Sequence, residues 1–210
     1  MLKASIHLLA ISFLLTCTPA SAFVYTTGVS SAFDNGQGII QAWTQPNLSG
    51  NGAGILCSID SNLNLRPNNF TVGIGHVWYS VSSGTVIDPQ FAMTAQPFAN
   101  SFTGYLGGQI QMTLGGTFLL GFWLDANGNQ GAGSGDRFGW ASFRYDATGP
   151  TLLSSAIEST GAGIIAGTTA AVPEPSTICL FLLALTTVPY ISRRRLQSTQ
   201  PTKRRMITLD

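Results

Sequence analysis

Between Phe23 and Thr169 apolar and polar residues alternate in short runs, the signature of half-buried strands whose side chains change face at every residue. The pattern predicts strands at Val24–Val29, Gly38–Thr44, Ile55–Asp60, Phe70–Val81, Phe102–Leu106, Gln109–Leu114, Thr117–Leu124, Phe138–Tyr145 and Thr151–Glu158. Pairs suited to positive backbone angles punctuate them: Asn35-Gly36, Asn51-Gly52, Ser83-Gly84, Gly115-Gly116 and Asn127-Gly128. No window of a dozen residues carries a helical stripe. The expected fold class is therefore all-β, a single β-sandwich or jelly-roll-like domain. Gly139, between Phe138 and Trp140, allows close backbone approach under two aromatic rings, so Trp140 is expected in the core.

The pattern changes at both ends. Lys3, the apolar run Ile6–Leu15 and the small-x-small triplet Ala20-Ser21-Ala22 form a secretory leader, with Ala20 and Ala22 read by signal peptidase. The leader spans 1–22 and the mature chain begins at Phe23. A lipoprotein reading of Cys17 is disfavoured because Thr16 replaces the small residue such boxes prefer. Beyond a domain at 23–171 stands Val172-Pro173-Glu174-Pro175-Ser176, then an apolar run Ile178–Ile191, then Arg193-Arg194-Arg195. A membrane helix at about 177–191 is short against the roughly 20 residues that a bilayer core needs, and Pro189 weakens its last turn. The arginines would hold the C-terminus in the cytoplasm by the positive-inside rule, leaving the domain outside. Residues 196–210 form a basic cytoplasmic extension containing Lys203-Arg204-Arg205.

The order Val-Pro-Glu-Pro-Ser, apolar helix and arginine cluster resembles the PEP-CTERM sorting signal of Gram-negative bacteria, here spanning 172–195. The resemblance implies a partner, exosortase, an integral-membrane enzyme with a cysteine nucleophile that removes the helix and passes the protein onward. In this chain Pro173, Glu174 and Pro175 would be the recognition element, and Arg193, Arg194 and Arg195 the stop-transfer cluster. The extension Leu196–Asp210 departs from the family, whose members usually end near their arginines. A second likeness lies within the domain. Phe122-Trp123-Leu124, Arg137-Phe138-Gly139-Trp140-Ala141, Ala156-Ile157-Glu158 and Gly163-Ile164-Ile165-Ala166-Gly167 resemble the ectodomain end of many PEP-CTERM proteins, which implies a structural role for Glu158.

Charge narrows the partners. Only 9% of the chain is charged against 44% apolar. Between Phe23 and Ala171 the cations are Arg66, Arg137 and Arg144, without a lysine, so the domain lacks the basic patch that nucleic acid requires. Cys57 is the domain's lone cysteine, which excludes an internal disulfide, and it is expected as a small buried hydrophobe.

Candidate chemistry is sparse. Asp125, Asn127, Asn129 and Asp136 stand at the first, third, fifth and twelfth places of a loop, the spacing of oxygens in a calcium loop. Gln130 occupies the sixth place in lieu of glycine, Asp136 the twelfth in lieu of glutamate, and no helix flanks them. A plain glycine-rich hairpin loop is the expectation, with no metal and no cofactor. His76 has no second histidine in the domain to share a zinc ion with. A triad from His76, Asp88 and a serine lacks the Gly-x-Ser-x-Gly elbow. Trp43, Trp78 and Tyr79 could form a sugar-stacking platform, although aromatics in a domain with so few charges more often fill the core. The first expectation is thus a non-enzymatic exported protein, anchored transiently in the inner membrane and then placed on the cell surface or outside it. An exopolysaccharide-binding module comes second, and a hydrolase last for want of nucleophile, base and orienter together.

Overall fold

The computed structural model describes residues 23–71 and 73–172, within the unit Ala22–Pro173. The chain first forms β1 (Val24–Tyr25), β2 (Val29–Asp34), β3 (Gln37–Trp43), β4 (Gly52–Ile59), β5 (Asn64–Phe70) and β6 (His76–Val81). Then come β7 (Val86–Ile87), the helix α1 (Pro89–Thr94), β8 (Ala99–Asn100) and β9 (Ile110–Gln111). Four strands follow: β10 (Thr117–Leu124), β11 (Arg137–Asp146), β12 (Gly149–Glu158) and β13 (Ile164–Ile165). The fold is all-β, as the alternation predicts.

A six-stranded sheet runs β1-β12-β11-β10-β6-β8 and a five-stranded one β2-β3-β4-β5-β9, while β7 and β13 pair in a separate ribbon. Every strand pair is antiparallel. The five-stranded sheet turns Ile40, Ala42, Ala53, Ile55, Cys57 and Leu65 inward, onto Trp78, Leu120, Phe122, Phe143 and Ile157 of the larger sheet. Removing each such large side chain from water contributes about 1.5–3 kcal/mol. The larger sheet is also covered on its far face. There Tyr79, Trp123, Phe138, Trp140 and Ala156 pack with Ile87, Ile164, Ala166 and Ala92 of α1. Two buried faces explain why β10 reads Thr-Phe-Leu-Leu-Gly-Phe-Trp-Leu with almost no polar residue, whereas β3 and β4 keep the alternation of one-sided strands.

Trp140 is 5% exposed and donates its indole N–H to the Thr168 carbonyl at 2.7 Å, which seats it in the core as expected. A Cβ built on Gly139 would come within 2.3 Å of the Phe122 ring and 2.8 Å of the Ala156 carbonyl oxygen, so only glycine lets β11 lie this close.

Several expectations are corrected. Val24–Val29 is two strands, because Gly28 (φ 101) turns the chain from the larger sheet to the smaller. Of Phe70–Val81 only His76–Val81 (β6) forms the predicted strand; Phe70 closes β5, which lies in the other sheet. Phe102–Leu106 is a turn, from which Phe102 stacks on Trp123 at 5.1 Å. Gln109–Leu114 contracts to β9. The pair Asn51-Gly52 does not make the turn before β4; positive angles fall on Leu48 and Gly50. Helix α1 was not expected. Asp88 caps it by accepting from the Phe91 N–H at 2.7 Å, with Pro89 in its first turn.

Candidate functional site

The register of β10 and β11 sets Leu124 opposite Arg137, so their connection is the loop Asp125–Asp136. At the same end of the sheet β12 finishes with Glu158 and β6 begins with His76, which faces Leu124. Asp125, Asp136 and Glu158 are all buried there, at 4%, 0% and 0% exposure. In a domain with few acids, three buried carboxylates at one end form the main concentration of polar chemistry.

Two of the three serve as backbone anchors. Asp125 Oδ1 accepts from the N–H groups of Gly128 (2.8 Å) and Asn129 (3.1 Å), and its Oδ2 from Gln130 (3.0 Å). Asn127 Oδ1 accepts from Asn129 N–H at 3.0 Å, and Asn129 Oδ1 from Gly131 N–H at 2.8 Å. Glu158 accepts from the Thr160 hydroxyl and N–H and from the N–H groups of Gly161 and Gly163, thereby shaping the turn into β13. This is the structural use expected of that glutamate.

Asp136 differs. Its Oδ2 accepts from the Trp123 indole at 3.1 Å and from Gly133 N–H at 3.0 Å, whereas Oδ1 is buried with no hydrogen-bond partner. Desolvation raises its pKa above the usual carboxylate value, aided by the nearby Asp125 charge and opposed by the hydrogen bonds to Gly133 and Trp123. Arg137 offers no ion pair here, because its Nη1 donates to the carbonyls of Gly135, Asp136 and Ser159. Among the described residues the salt bridge is Arg66 with Asp60, at 2.9 Å.

His76 is 1% exposed. Its Nδ1 lies 2.8 Å from the Ile74 carbonyl, Nε2 is unpartnered, and the ring sits edge-on to Phe70 at 5.4 Å. Burial pushes its pKa below 6.5, so the ring is neutral. Asp88 is engaged in capping α1, and no hydrogen bond joins it to His76. Cys57 is buried as expected, and burial pushes its thiol up to about 12, far from a reactive thiolate.

The three aromatics do not share a surface. Trp78 is fully buried between the two sheets, and Tyr79, one residue on, faces the opposite core and donates to the Ala92 carbonyl at 2.7 Å. Only Trp43, half-buried on β3, reaches the exterior. The stacking platform is thus corrected: neighbouring strand residues face opposite ways, and here both faces are core. An open groove of about 400 Å3 that the sequence did not signal lies between β2 and the β11–β12 turn. It is lined by Val29, Ser30, Ser31, Phe33 and Thr148–Leu152, without a titratable side chain. The leader residues Ala20 and Ala22 and the tail residues Pro173, Glu174, Pro175, Arg193, Arg194 and Arg195 lie outside the described residues. Among the described residues no helix is long and apolar enough to cross a membrane. Compared with known proteins, the chain matches no family model, no curated protein and no solved structure.

Proposed function

We propose that this chain is an exported, non-enzymatic surface or extracellular-matrix protein, delivered by its leader and sorted by exosortase through a PEP-CTERM tail. The observation that carries the reading is a coincidence of boundaries. The unit Ala22–Pro173 begins on the last residue of the cleavage triplet Ala20-Ser21-Ala22 and ends on the first proline of Pro173-Glu174-Pro175. At its start, β1 pairs with the end of β12, and Ser159 N–H donates to the Phe23 carbonyl at 3.1 Å. At its end, Val172 N–H donates to the Gly163 carbonyl at 3.0 Å. Pro173 and Pro175 have no N–H to continue such pairing, so a processing enzyme would find its motif directly after Val172, the last tied residue among those described.

The finer fold reading, a β-sandwich followed by a single apolar helix, is part of the same proposal; it is supported by the packing of two antiparallel sheets about one core. The partners are signal peptidase, exosortase and, transiently, the inner membrane. The test replaces Pro173, Glu174 and Pro175 by alanine in cells that contain exosortase. The variant is expected to accumulate with its tail attached while the parent is processed, and equal processing of both would refute the assignment.

A further inference from the structure

We propose that the Asp125–Asp136 loop binds a calcium ion through side-chain oxygens of Asp125, Asn127, Asn129 and Asp136 and the backbone carbonyl of Gly131. The site is independent of the sorting tail. From the sequence, Gln130 argued against such a loop, because the sixth position of a calcium loop makes a sharp turn that glycine usually supplies. In the structure Gln130 takes that turn, with φ 60, two residues after Gly128 at φ 75. The loop therefore already has the required path.

Asp136 points to an occupant. It is fully buried, and its Oδ1 has no partner, although a buried carboxylate oxygen is among the costliest polar atoms to leave unpaired. Its carboxylate lies against the loop, since Oδ2 accepts from the N–H of Gly133, a loop residue, at 3.0 Å. Two carboxyl groups thus stand at low exposure at the two ends of one loop, and among the described residues Arg137, whose Nη1 donates to carbonyls, pairs with neither. A bound cation would compensate both.

Acceptor capacity matches this. A carboxylate offers about four acceptor positions. Asp125 spends three on Gly128, Asn129 and Gln130, which leaves one. Asn127 Oδ1 and Asn129 Oδ1 each accept once, leaving one position apiece, and Asp136 Oδ1 has both of its own. Among the described residues no hydrogen bond is made to the Gly131 carbonyl, at the seventh place, where calcium loops supply a backbone oxygen. The bonds already made hold these oxygens in place without exhausting them. All the donors are oxygens, which selects a hard ion; among the described residues no three His, Cys, Asp or Glu side chains gather to hold a metal, so the site depends on amide and backbone oxygens beside its two carboxylates. Amide and carbonyl ligands on a loop suit calcium, with its adaptable coordination, over magnesium, which demands near-ideal octahedral geometry. With only two carboxylates, the affinity belongs with that of extracellular modules, Kd about 0.1–1 mM.

The test uses the full-length chain and terbium as a luminescent probe, because the Trp123 indole, hydrogen-bonded to Asp136, can sensitise an ion bound there. Excitation of tryptophan should give terbium emission that calcium displaces in the range of about 0.1–1 mM and magnesium does not. Calcium at ten times its Kd should raise Tm by about 3–6 °C. Asp136→Asn should abolish both responses. Because that position is buried, Asn129→Ala, on the exposed part of the loop, provides the second arm and should weaken calcium by about tenfold or more. Asp60→Asn, on another loop, should leave the parent behaviour. No emission and no change in Tm up to about 10 mM calcium, tenfold above the weakest expected Kd, would overturn the proposal. So would an equal response to magnesium, or parent affinity in Asn129→Ala.

Discussion

Trp123 and Asp136 hold each other in place: the indole satisfies one carboxylate oxygen, and the carboxylate gives a buried N–H its acceptor. Trp123→Phe keeps an aromatic ring against Phe102 and Phe138 but leaves that oxygen with one donor fewer. It should lower unfolding stability by about 1–3 kcal/mol, read from urea denaturation. His76 makes a pH-dependent contribution. The unfolded chain takes up a proton near 6.5 that the buried ring resists, so this stability is complete above pH 6.5 and is lost as pH falls through that value toward the folded pKa. Asp136, whose pKa is raised, slopes the opposite way. The difference between the parent and His76→Asn isolates the histidine: from about pH 7 to about pH 5 the parent's denaturant midpoint should decline more than the variant's. Spacing alone brought Asp125, Asn127, Asn129 and Asp136 together on paper. It was silent on the contacts of Trp123 and Arg137 with this loop, because those come from tertiary packing.

Element boundaries depend on which sheet a segment joins, and alternation does not carry that information. Gly28 and the link from β5 to β6 are both crossings between sheets, where the hydrophobic rhythm continues while the hydrogen-bonding partners change. Strand β5 escaped notice because Arg66, Pro67, Asn68 and Asn69 look like loop. Beyond Leu65 no β9 residue pairs with it, so Pro67 sits where a missing N–H is tolerated. Helix α1 has six residues, too few for a helical stripe, and only Asp88-Pro89 marked its start. The hairpin β10–β11 and the strand β12 were legible because long apolar runs bracket clear turn residues. Two glycines of this region separate crowding from backbone angle. Gly139→Ala drives a methyl into Phe122 and the Ala156 carbonyl and should cost about 3 kcal/mol, at the upper end for overpacking. Gly128→Ala meets nothing within 4 Å, and its φ of 75 should cost only about 1–2 kcal/mol. Equal losses in thermal or urea unfolding would refute that distinction.

At the scale of the whole molecule, the carboxylates of Asp125 and Glu158 hold the domain's own loops, and the proposed function places the address of the protein in the two ends of the chain. The loop Asp125–Asp136 touches the segment leading to Val172, through Gly135 N–H and the Thr160 carbonyl at 3.3 Å. An ion bound in that loop would brace the end of the domain that closes on Val172. The most direct measurement is the intact mass of the protein from exosortase-positive and exosortase-deleted cells. The account predicts a chain beginning at Phe23 in both, with the apolar segment Ile178–Ile191 and its arginines lost only where exosortase is present. The same unprocessed tail in both strains would contradict it.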